Sequence, residues 1–324
     1  MNIDSKLRPI YLARILFERT DEDHYLTTNQ LIRILKDEYG IESYRITVRN
    51  DVEHLKDLGM KIESTLSTQM RYHVAQRKYD PAELKLLIDA VESAKFISGK
   101  KSRALVEKLM TEVSLYQAVG LKRNLLAEGR VKSENEKSLQ IVDAINDAIN
   151  RGRKISFQMV EYSPKKRRVL HNNGEIYTFS PYTLVWDGDC YYAVGYSDKY
   201  GRIGSHRVDR IAEMPRILEE EQEKPPKGFR IETYVNTMFR MYDSERRTVE
   251  LVCENEVMDS LVDRFGTGFK ATTVDEEHFQ AVVDAAVSHV FYSWVFGFEG
   301  KVKIAAPEDV REKYKEMVMK AAET

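Results

Sequence analysis

The turn Asp187-Gly188-Asp189 constrains the fold of this chain more than any other feature of the sequence. Two runs rich in aromatic and aliphatic residues flank it, at 182–186 and 190–196. A glycine in such a short turn supplies the positive φ that a tight reversal needs. The segment therefore predicts a β-hairpin and, with it, a sheet in the second half of the chain.

A third strand-like run follows the hairpin and carries Ser205, His206 and Arg207 before it ends at Arg210. It brings two guanidinium groups close together in sequence beside a tyrosine-rich sheet. Arginine suits anion binding because its planar fork holds phosphate with two hydrogen bonds and stacks on flat rings. The segment indicates a sensor for an anionic ligand with flat rings.

Composition limits the class of protein. Of the 324 residues, 42% are hydrophobic and 31% are charged, which predicts a chain of several domains. No apolar run approaches the roughly 18 to 20 residues that span a bilayer, and the first residues do not form a signal peptide, so we expect a cytoplasmic protein. Cys190 and Cys253 show no disulfide or metal-ligand spacing. We expect no metal, no cofactor and no membrane partner.

The N-terminal segment begins with two amphipathic helices. Residues 7–18 carry one apolar stripe, with Pro9 in the first turn, where proline is tolerated. A capping box of Thr27 and Gln30 predicts the start of the second helix, and Gly40 predicts its end.

A third helix and a ribbon follow. Ser43 is a candidate cap for this helix. Its predicted buried face consists of Val48, Val52 and Leu55. Two short strands at 61–63 and 70–74 enclose a polar turn. Three helices followed by a two-stranded ribbon predict a winged helix-turn-helix.

The outward face of the third helix is a candidate reading surface. Steps of about 100° per residue place four residues opposite the buried face, with Thr47 and Arg49 on its flanks; the four are Ser43, Ile46, Asn50 and Glu53. Such a face could enter a DNA groove, although an amphipathic three-helix unit is also a generic packing module. The segment is near charge balance, so binding would depend on a dimer that presents two reading helices.

The middle of the chain is helical in character from Asp80 to about Glu128. Asp80 predicts a cap and Pro81 a first-turn residue. A break at 98–102 separates two helices, and Ser102 is the predicted cap of the second. These linker helices either carry dimer contacts or support the sensor.

The hairpin region resembles the WYL domain of bacterial transcriptional regulators. The motifs that carry the resemblance are Tyr191-Tyr192-Ala193, where the family has Trp-Tyr-Leu, then Pro181-Tyr182-x-Leu184 and Arg207-Val208-Asp209-Arg210-Ile211. The resemblance implies a small Sm-like β-barrel. It also implies the ligand-binding residues Tyr192, Arg207 and Arg210, with Tyr182, Ser205 and His206 as further candidates.

A basic patch accompanies this region. It consists of Arg151, Arg153, Lys154, Lys165, Lys166, Arg167 and Arg168, opposed within this span by Glu161. Such a run is usually a solvated hairpin edge. Four interleaved tyrosines support the alternative that the patch receives an oligonucleotide. They are Tyr162, Tyr177, Tyr182 and Tyr192.

The pattern at 47–59 is similar to the recognition helix that usually precedes a WYL domain. This similarity implies that Arg45, Thr47, Arg49 and Asn50 face DNA. The arginines would contact phosphate or guanine, and Asn50 would contact adenine or phosphate.

The charge run at 219–227, which ends in two prolines, predicts a linker. The patterns after it predict the element order βαββαβα. This order resembles the ferredoxin-like extension often attached to WYL domains.

The predicted fold is a multidomain α+β chain. Its predicted domains are a winged helix-turn-helix DNA-binding domain at 1–77, a helical linker at 78–135, an Sm-like β-barrel WYL ligand-sensing domain at 136–224 and a ferredoxin-like extension at 225–324.

We expect a homodimeric, sequence-specific regulator of transcription that binds a double-stranded DNA operator. Its WYL domain would sense an anionic effector, such as single-stranded nucleic acid or a nucleotide, and act on the reading helices through the linker. The alternative is a stress protein that binds nucleic acid without sequence preference. No catalytic motif is visible, so we do not expect an enzyme. A nuclease built from Asp187, Asp189 and His206 is the remaining catalytic alternative.

Overall fold

The computed structural model describes residues 3–123, 131–238, 241 and 244–323. The chain divides into two compact units, Met1–Glu134 and Asn135–Thr324. In the ranges described, no helix is both long and apolar enough to cross a membrane.

The first unit begins with three helices and a small antiparallel sheet. These elements are α1 (Ile3–Arg19), β1 (Leu26–Thr27), α2 (Thr28–Tyr39), α3 (Arg45–Asp57), β2 (Ile62–Leu66) and β3 (Met70–Val74). The sheet has the order β1-β3-β2. The predicted helices and ribbon are therefore present. Their apolar faces share one core, which includes Leu12, Ile15, Leu31, Leu35, Val48, Val52, Leu55 and Tyr72.

The helix ends test the capping predictions. Thr27 and Gln30 form the predicted capping box, and α2 ends at Gly40 in the left-handed conformation, with φ of 67°. The predicted Ser43 cap is wrong, because α3 begins one residue later and Tyr44 precedes it without a side-chain cap. The predicted place of Pro9 is also wrong. Since α1 begins at Ile3, this proline lies inside the helix.

Three helices follow in the same unit: α4 (Pro81–Ser93), α5 (Gly99–Met110) and α6 (Leu115–Arg123). Asp80 caps α4 and Pro81 opens it, as predicted. The cap of α5 is Ser98, not Ser102. Ser102 is buried and accepts a hydrogen bond from the ammonium of Lys132 at 2.8 Å. The rest of the predicted helix, up to Glu128, lies outside the described residues.

The second unit begins with one helix and an open five-stranded sheet. The elements are α7 (Ser138–Arg151), β4 (Arg153–Gln158), β5 (Val160–Tyr162), β6 (Arg168–Leu170), β7 (Ile176–Asp187), β8 (Cys190–Ser197), β9 (Arg202–Arg207) and β10 (Arg216–Glu221). The main sheet has the antiparallel order β10-β4-β7-β8-β9, and β5 and β6 form a separate ribbon. The apolar face of α7 packs against β4 and β7.

The predicted Sm-like β-barrel is not confirmed, because no sheet among the described residues closes as a barrel. Strands β9 and β10 are the two edges of the sheet and do not pair with each other. The chain leaves the sheet after β4, because the carbonyl of Met159 accepts from the amide of His171 at 2.9 Å and β5 pairs with β6. A single bridge joins Met159 to Ile211.

The predicted hairpin is confirmed. Gly188 and Asp189 join β7 to β8 with φ of 51° and 75°. Two successive positive φ values are typical of the two-residue hairpin turn whose twist matches that of the flanking strands. The ladder contains a bulge at Tyr182, because Pro181 lies opposite Gly195 whereas Thr183 lies opposite Val194.

Gly195 permits this bulge. A Cβ atom at this position would lie 2.0 Å from the carbonyl oxygen of Ser180 and 2.9 Å from Cα of Pro181. Both are backbone atoms of the neighbouring strand, so a side chain would force the strands apart.

The C-terminal part of this unit is an antiparallel sheet with helices. It contains α8 (Ile231–Thr237), β11 (Arg246–Glu254), α9 (Met258–Phe265), β12 (Lys270–Thr273), β13 (His278–Ala286), α10 (His289–Phe296), β14 (Val302–Ala306) and α11 (Glu308–Ala322). From β11 onward the order is the predicted βαββαβα, and the sheet order is β12-β13-β11-β14. Helix α8 was not predicted. Residues 219–221 of the predicted linker belong to β10.

We predict that Gly195→Ala lowers the free energy of unfolding by about 4 kcal/mol or more, because its Cβ meets backbone that cannot move alone. Urea denaturation followed by circular dichroism measures the change. The matched control is Gly268→Ala in the same unit, where a Cβ has open space and φ is not positive. Equal stability of the two variants would contradict the assigned role of Gly195.

Candidate functional site

A cavity of about 540 Å³ lies along the edge strand β9. Its walls come from β9, the ribbon strand β5, Tyr177 of β7 and the short turn that begins at His171. Several lining side chains can form hydrogen bonds or stack on a ligand, and they are Glu161, Tyr162, His171, Tyr177, Arg202, Ser205, His206 and Arg210. Aromatic rings, two guanidinium groups and two imidazoles therefore share one concave surface.

His206 is held by aromatic rings. Its ring centroid lies 4.9 Å from that of Phe179 and 5.3 Å from that of Phe157, both edge to face, and 5.7 Å from Tyr177. Burial among these rings lowers the pKa of His206 to about 4. The imidazole is therefore neutral at neutral pH and offers one donor and one acceptor to a ligand.

The tyrosines of the cavity are fixed by their neighbours. The guanidinium of Arg210 lies 4.9 Å above the ring of Tyr162. The hydroxyl of Tyr177 lies 2.8 Å from Nδ1 of His171 and accepts a hydrogen bond from Asn172 at 3.1 Å. These contacts hold the rings of Tyr162 and Tyr177 at the wall of the cavity.

Arg207 is placed differently from Arg210. Its guanidinium donates two hydrogen bonds to the carboxylate of Asp209, at 3.1 and 2.8 Å. This pair raises the pKa of Arg207 above its ordinary value. Arg207 does not line the cavity.

Tyr192 and Tyr182 also lie away from the cavity. Tyr192 is opposite Arg207 in the ladder and packs in the cluster that contains α8. Burial raises the pKa of both tyrosines to about 12. The ring of Tyr182 is 6.2 Å from that of Phe229, and its buried hydroxyl has no hydrogen-bond partner among the described residues.

The six predicted ligand-binding residues thus fall into two groups. Ser205, His206 and Arg210 line the cavity, whereas Tyr182, Tyr192 and Arg207 do not. The hydroxyl of Ser205 is already used, since it donates to the carbonyl of Met241 at 2.9 Å. Sequence reasoning missed His171 and Arg202. The signal for Arg202 was strand alternation, because it has the same parity on β9 as His206.

The structure corrects the interpretation of the basic patch. Lys154 is buried and surrounded by acids, at 2.8 Å from Asp198 and 3.5 Å from Glu223. Arg151 pairs with Asp147 at 2.8 Å. These acids lie outside the basic run in sequence, and only folding brings Asp198 and Glu223 close to Lys154. Arg151 is exposed but paired, and the other exposed basic residues of the patch are those of the ribbon, Lys165, Lys166, Arg167 and Arg168.

The predicted reading face is exposed. On α3, the side chains of Arg45, Ile46, Arg49 and Asn50 reach solvent, and Thr47 is half-buried. The opposite face is anchored to α1 by a partly buried ion pair, in which Nε of Arg8 lies 2.5 Å from the carboxylate of the buried Asp51. Arg45 is oriented by a hydrogen bond to the side-chain oxygen of Asn29 at 3.1 Å.

Asp21 joins the three-helix part of the first unit to the linker helices. Its buried carboxylate accepts hydrogen bonds from the Ser114 hydroxyl and from Nδ1 of His24, the latter at 2.7 Å. Burial raises the pKa of Asp21, but these hydrogen bonds outweigh it, so the pKa lies below its ordinary value. The ring of His24 stacks on Tyr116 at 3.7 Å.

Arg77 makes a second connection close to Asp21. Its guanidinium donates to the carbonyls of Phe17 and Thr20, each at 2.6 Å, and lies over the Phe17 ring. These two carbonyls are near the C-terminal end of α1, where backbone acceptors lack helical partners. Sequence reasoning assigned no role to either Asp21 or Arg77.

Comparison with known proteins assigns the two parts of the second unit. Residues 140–215 match the WYL domain. Residues 245–322 match the WCX domain. The residues that line the cavity along β9 all lie within the WYL-matching region.

Among solved structures, the chain is similar to proteasome accessory factor B/C (PafBC) of Arthrobacter aurescens, with 17% identity and a TM-score of 0.29. That alignment covers 95% of this chain but 45% of the PafBC chain. A second similar structure is a CRISPR Cas-related protein, with 14% identity, a TM-score of 0.38, and coverage of 75% and 73%. No curated protein matches the chain.

We predict that His206 makes stability fall in acid. Above pH 6.5 the imidazole is neutral in both the folded and the unfolded state. Between pH 6.5 and about 4 only the unfolded state gains the proton, so the free energy of unfolding should fall by roughly 3 kcal/mol in total. The measurement is urea denaturation at several pH values, with wild type compared with His206→Gln. Parallel profiles for the two proteins would show that His206 does not titrate in this way.

Proposed function

We propose that the protein is a cytoplasmic, homodimeric transcriptional regulator that binds DNA sequence-specifically and senses an anionic effector in its WYL-matching region. The effector is a single-stranded nucleic acid or a nucleotide. The observation that carries the proposal is the cavity along β9, where Arg202 and Arg210 lie with tyrosines and the neutral His206.

The lining chemistry favours a phosphate joined to a base. Guanidinium groups hold phosphate oxygens, and tyrosine rings stack on bases. A neutral imidazole can exchange hydrogen bonds with a base edge without adding charge. The exposed basic turn of the β5-β6 ribbon, at 165–168, extends the positive surface beyond the cavity wall.

The geometry changes the proposed role of Arg207. Its two hydrogen bonds to Asp209 tie the end of β9 to the following turn, which also carries Arg210. Arg207 therefore positions Arg210, and Arg210 contacts the effector. The half-buried Tyr192 lies opposite Arg207 on β8 and supports the same strand pair.

The first unit supports DNA binding. Helices α1 to α3 followed by the β2-β3 hairpin have the element order of a winged helix-turn-helix, with α3 as the reading helix. In the second unit, the four-stranded order β12-β13-β11-β14 with its helices supports the predicted ferredoxin-like extension.

Exposed apolar residues on the linker helices support the homodimer. They are Leu86, Leu87, Leu115, Tyr116 and Val119. Clusters of large apolar side chains in water are typical of interaction surfaces. We propose that this surface pairs two copies and so presents two reading helices to one operator.

We predict that the double variant Arg202→Ala, Arg210→Ala binds labelled single-stranded DNA at least about tenfold more weakly than wild type. Each lost phosphate contact should also reduce the salt slope of log K by about 0.7. Fluorescence anisotropy at two salt concentrations measures both effects. Arg151→Ala is the matched control, because this arginine is paired with Asp147 and does not line the cavity. If wild type itself does not bind, single-stranded DNA is excluded as the effector and a nucleotide or another small anion becomes the next candidate.

We predict that Arg49→Ala weakens binding to the preferred duplex about tenfold or more. Arg14→Ala is the control, since this exposed arginine lies on α1 and pairs with Glu18 at 2.8 Å. A regulator should also prefer its site over random duplex by roughly 10³-fold or more. Equal effects of the two substitutions would remove α3 as the reading helix.

The second candidate is a stress protein that binds nucleic acid without sequence preference. The exposed basic ribbon turn favours it, because such a turn contacts phosphates and not base edges. Equal affinity for all duplexes in the same titration would select this alternative.

We propose no catalytic activity. Asp187 and Asp189 are explained by the hairpin turn, and within the described ranges no group of three or more metal-binding side chains could hold an ion. Metal-dependent cleavage of nucleic acid by the purified protein would contradict this part of the proposal.

A further inference from the structure

Ile46 is a large aliphatic side chain that the fold leaves in water. It is the second residue of α3 and is 76% exposed, whereas Val48, two positions later on the other side of the helix, is fully buried. The residues that α3 contributes to the core of the three-helix part are Val48, Val52 and Leu55. Folding therefore gives no reason for isoleucine at this position.

The surroundings of Ile46 have the charge of a DNA-binding surface. Arg45, Arg49 and Asn50 are exposed next to it on the same helix. Two acids share this face. Glu53 pairs with Lys56 at 2.9 Å, and Lys56 also donates to the Ser64 hydroxyl at 2.7 Å, whereas Asp57 is the last residue of α3, about three turns from Ile46. The exposed charges next to Ile46 are therefore those of Arg45 and Arg49, which are complementary to a duplex.

Base chemistry specifies what an aliphatic side chain can read there. In the major groove, the 5-methyl group of thymine is the apolar group that distinguishes one base edge from the others. Asn50 lies four residues after Ile46, so the two side chains share one face about 6 Å apart along the helix axis. Asparagine pairs with the N6 and N7 atoms of adenine. The two positions together favour a site rich in A·T pairs.

We propose that Ile46 contacts the methyl group of a thymine in each half of the DNA site and so helps to set sequence preference. This inference rests on the proposed DNA-binding function. It assigns to Ile46 a role that Arg45 and Arg49 cannot perform, since a cation does not discriminate thymine from uracil.

The test removes the methyl group from the DNA and the side chain from the protein. A preferred duplex is selected from a random library with the full-length protein. Each thymine is then replaced in turn by deoxyuridine, which lacks only the methyl group. In each half-site, one thymine should be sensitive for wild type. Replacing that single thymine should weaken binding about fourfold, which corresponds to ~0.8 kcal/mol for one buried methyl-sized group.

Ile46→Ala should weaken binding to the unmodified duplex by at least as much and should be insensitive to the same replacement. Circular dichroism confirms that this exposed variant folds. Ile10→Ala is the matched control, because Ile10 is also an exposed isoleucine, 64% accessible, but lies on α1. The control should keep the full sensitivity to deoxyuridine.

The outcomes separate the inference from the function on which it rests. If no preferred duplex is selected, the DNA-reading function fails and the inference fails with it. If a preferred duplex is selected but wild type and Ile46→Ala respond equally to every replacement, the inference alone is overturned. It is also overturned if Ile46→Ala changes the oligomeric state, because Ile46 would then belong to a protein interface.

Discussion

The close approach of β8 to β7 at Gly195 is the constraint on which the geometry of the second unit depends. The absence of a side chain lets the carbonyl of Ser180 lie where a Cβ would be, and the extra residue of the bulge, Tyr182, is accommodated there. Strand side chains alternate between faces, so a shift of one residue would reverse every face after the bulge. The register of β8 then places Ala193 opposite His206 and Tyr192 opposite Arg207. The lining of the cavity follows from this register.

Local features of the chain were predictable from sequence because their causes are local. The capping box of Thr27, the Asp80 cap and the hairpin at Gly188 each depend on a few neighbouring residues, and all are present. The βαββαβα order was predictable for the same reason, since each element carries its own apolar periodicity. Where two local solutions competed, prediction failed. Ser98 and Ser102 both suit a helix cap, but Ser98 is the cap, and Ser102 is buried inside α5, where it accepts a hydrogen bond from Lys132.

The candidate site was harder to predict because its geometry comes from contacts between distant residues. Sequence spacing made Arg207 and Arg210 look equivalent. Asp209 separates them, since its carboxylate binds Arg207 and leaves Arg210 to lie over Tyr162. The basic patch divided for a similar reason, because Asp198 and Glu223 approach Lys154 only after folding. The open sheet also has a tertiary cause, namely the departure of the chain at Met159 toward the ribbon.

The buried hydrogen bonds of Asp21 have a consequence for how such a protein can be recombined. A junction placed at the apparent boundary after residue 77 would separate Asp21 from Ser114 and would leave its carboxylate buried with fewer donors. The reading helices and the linker helices therefore form a single module, and a hybrid regulator should exchange them together.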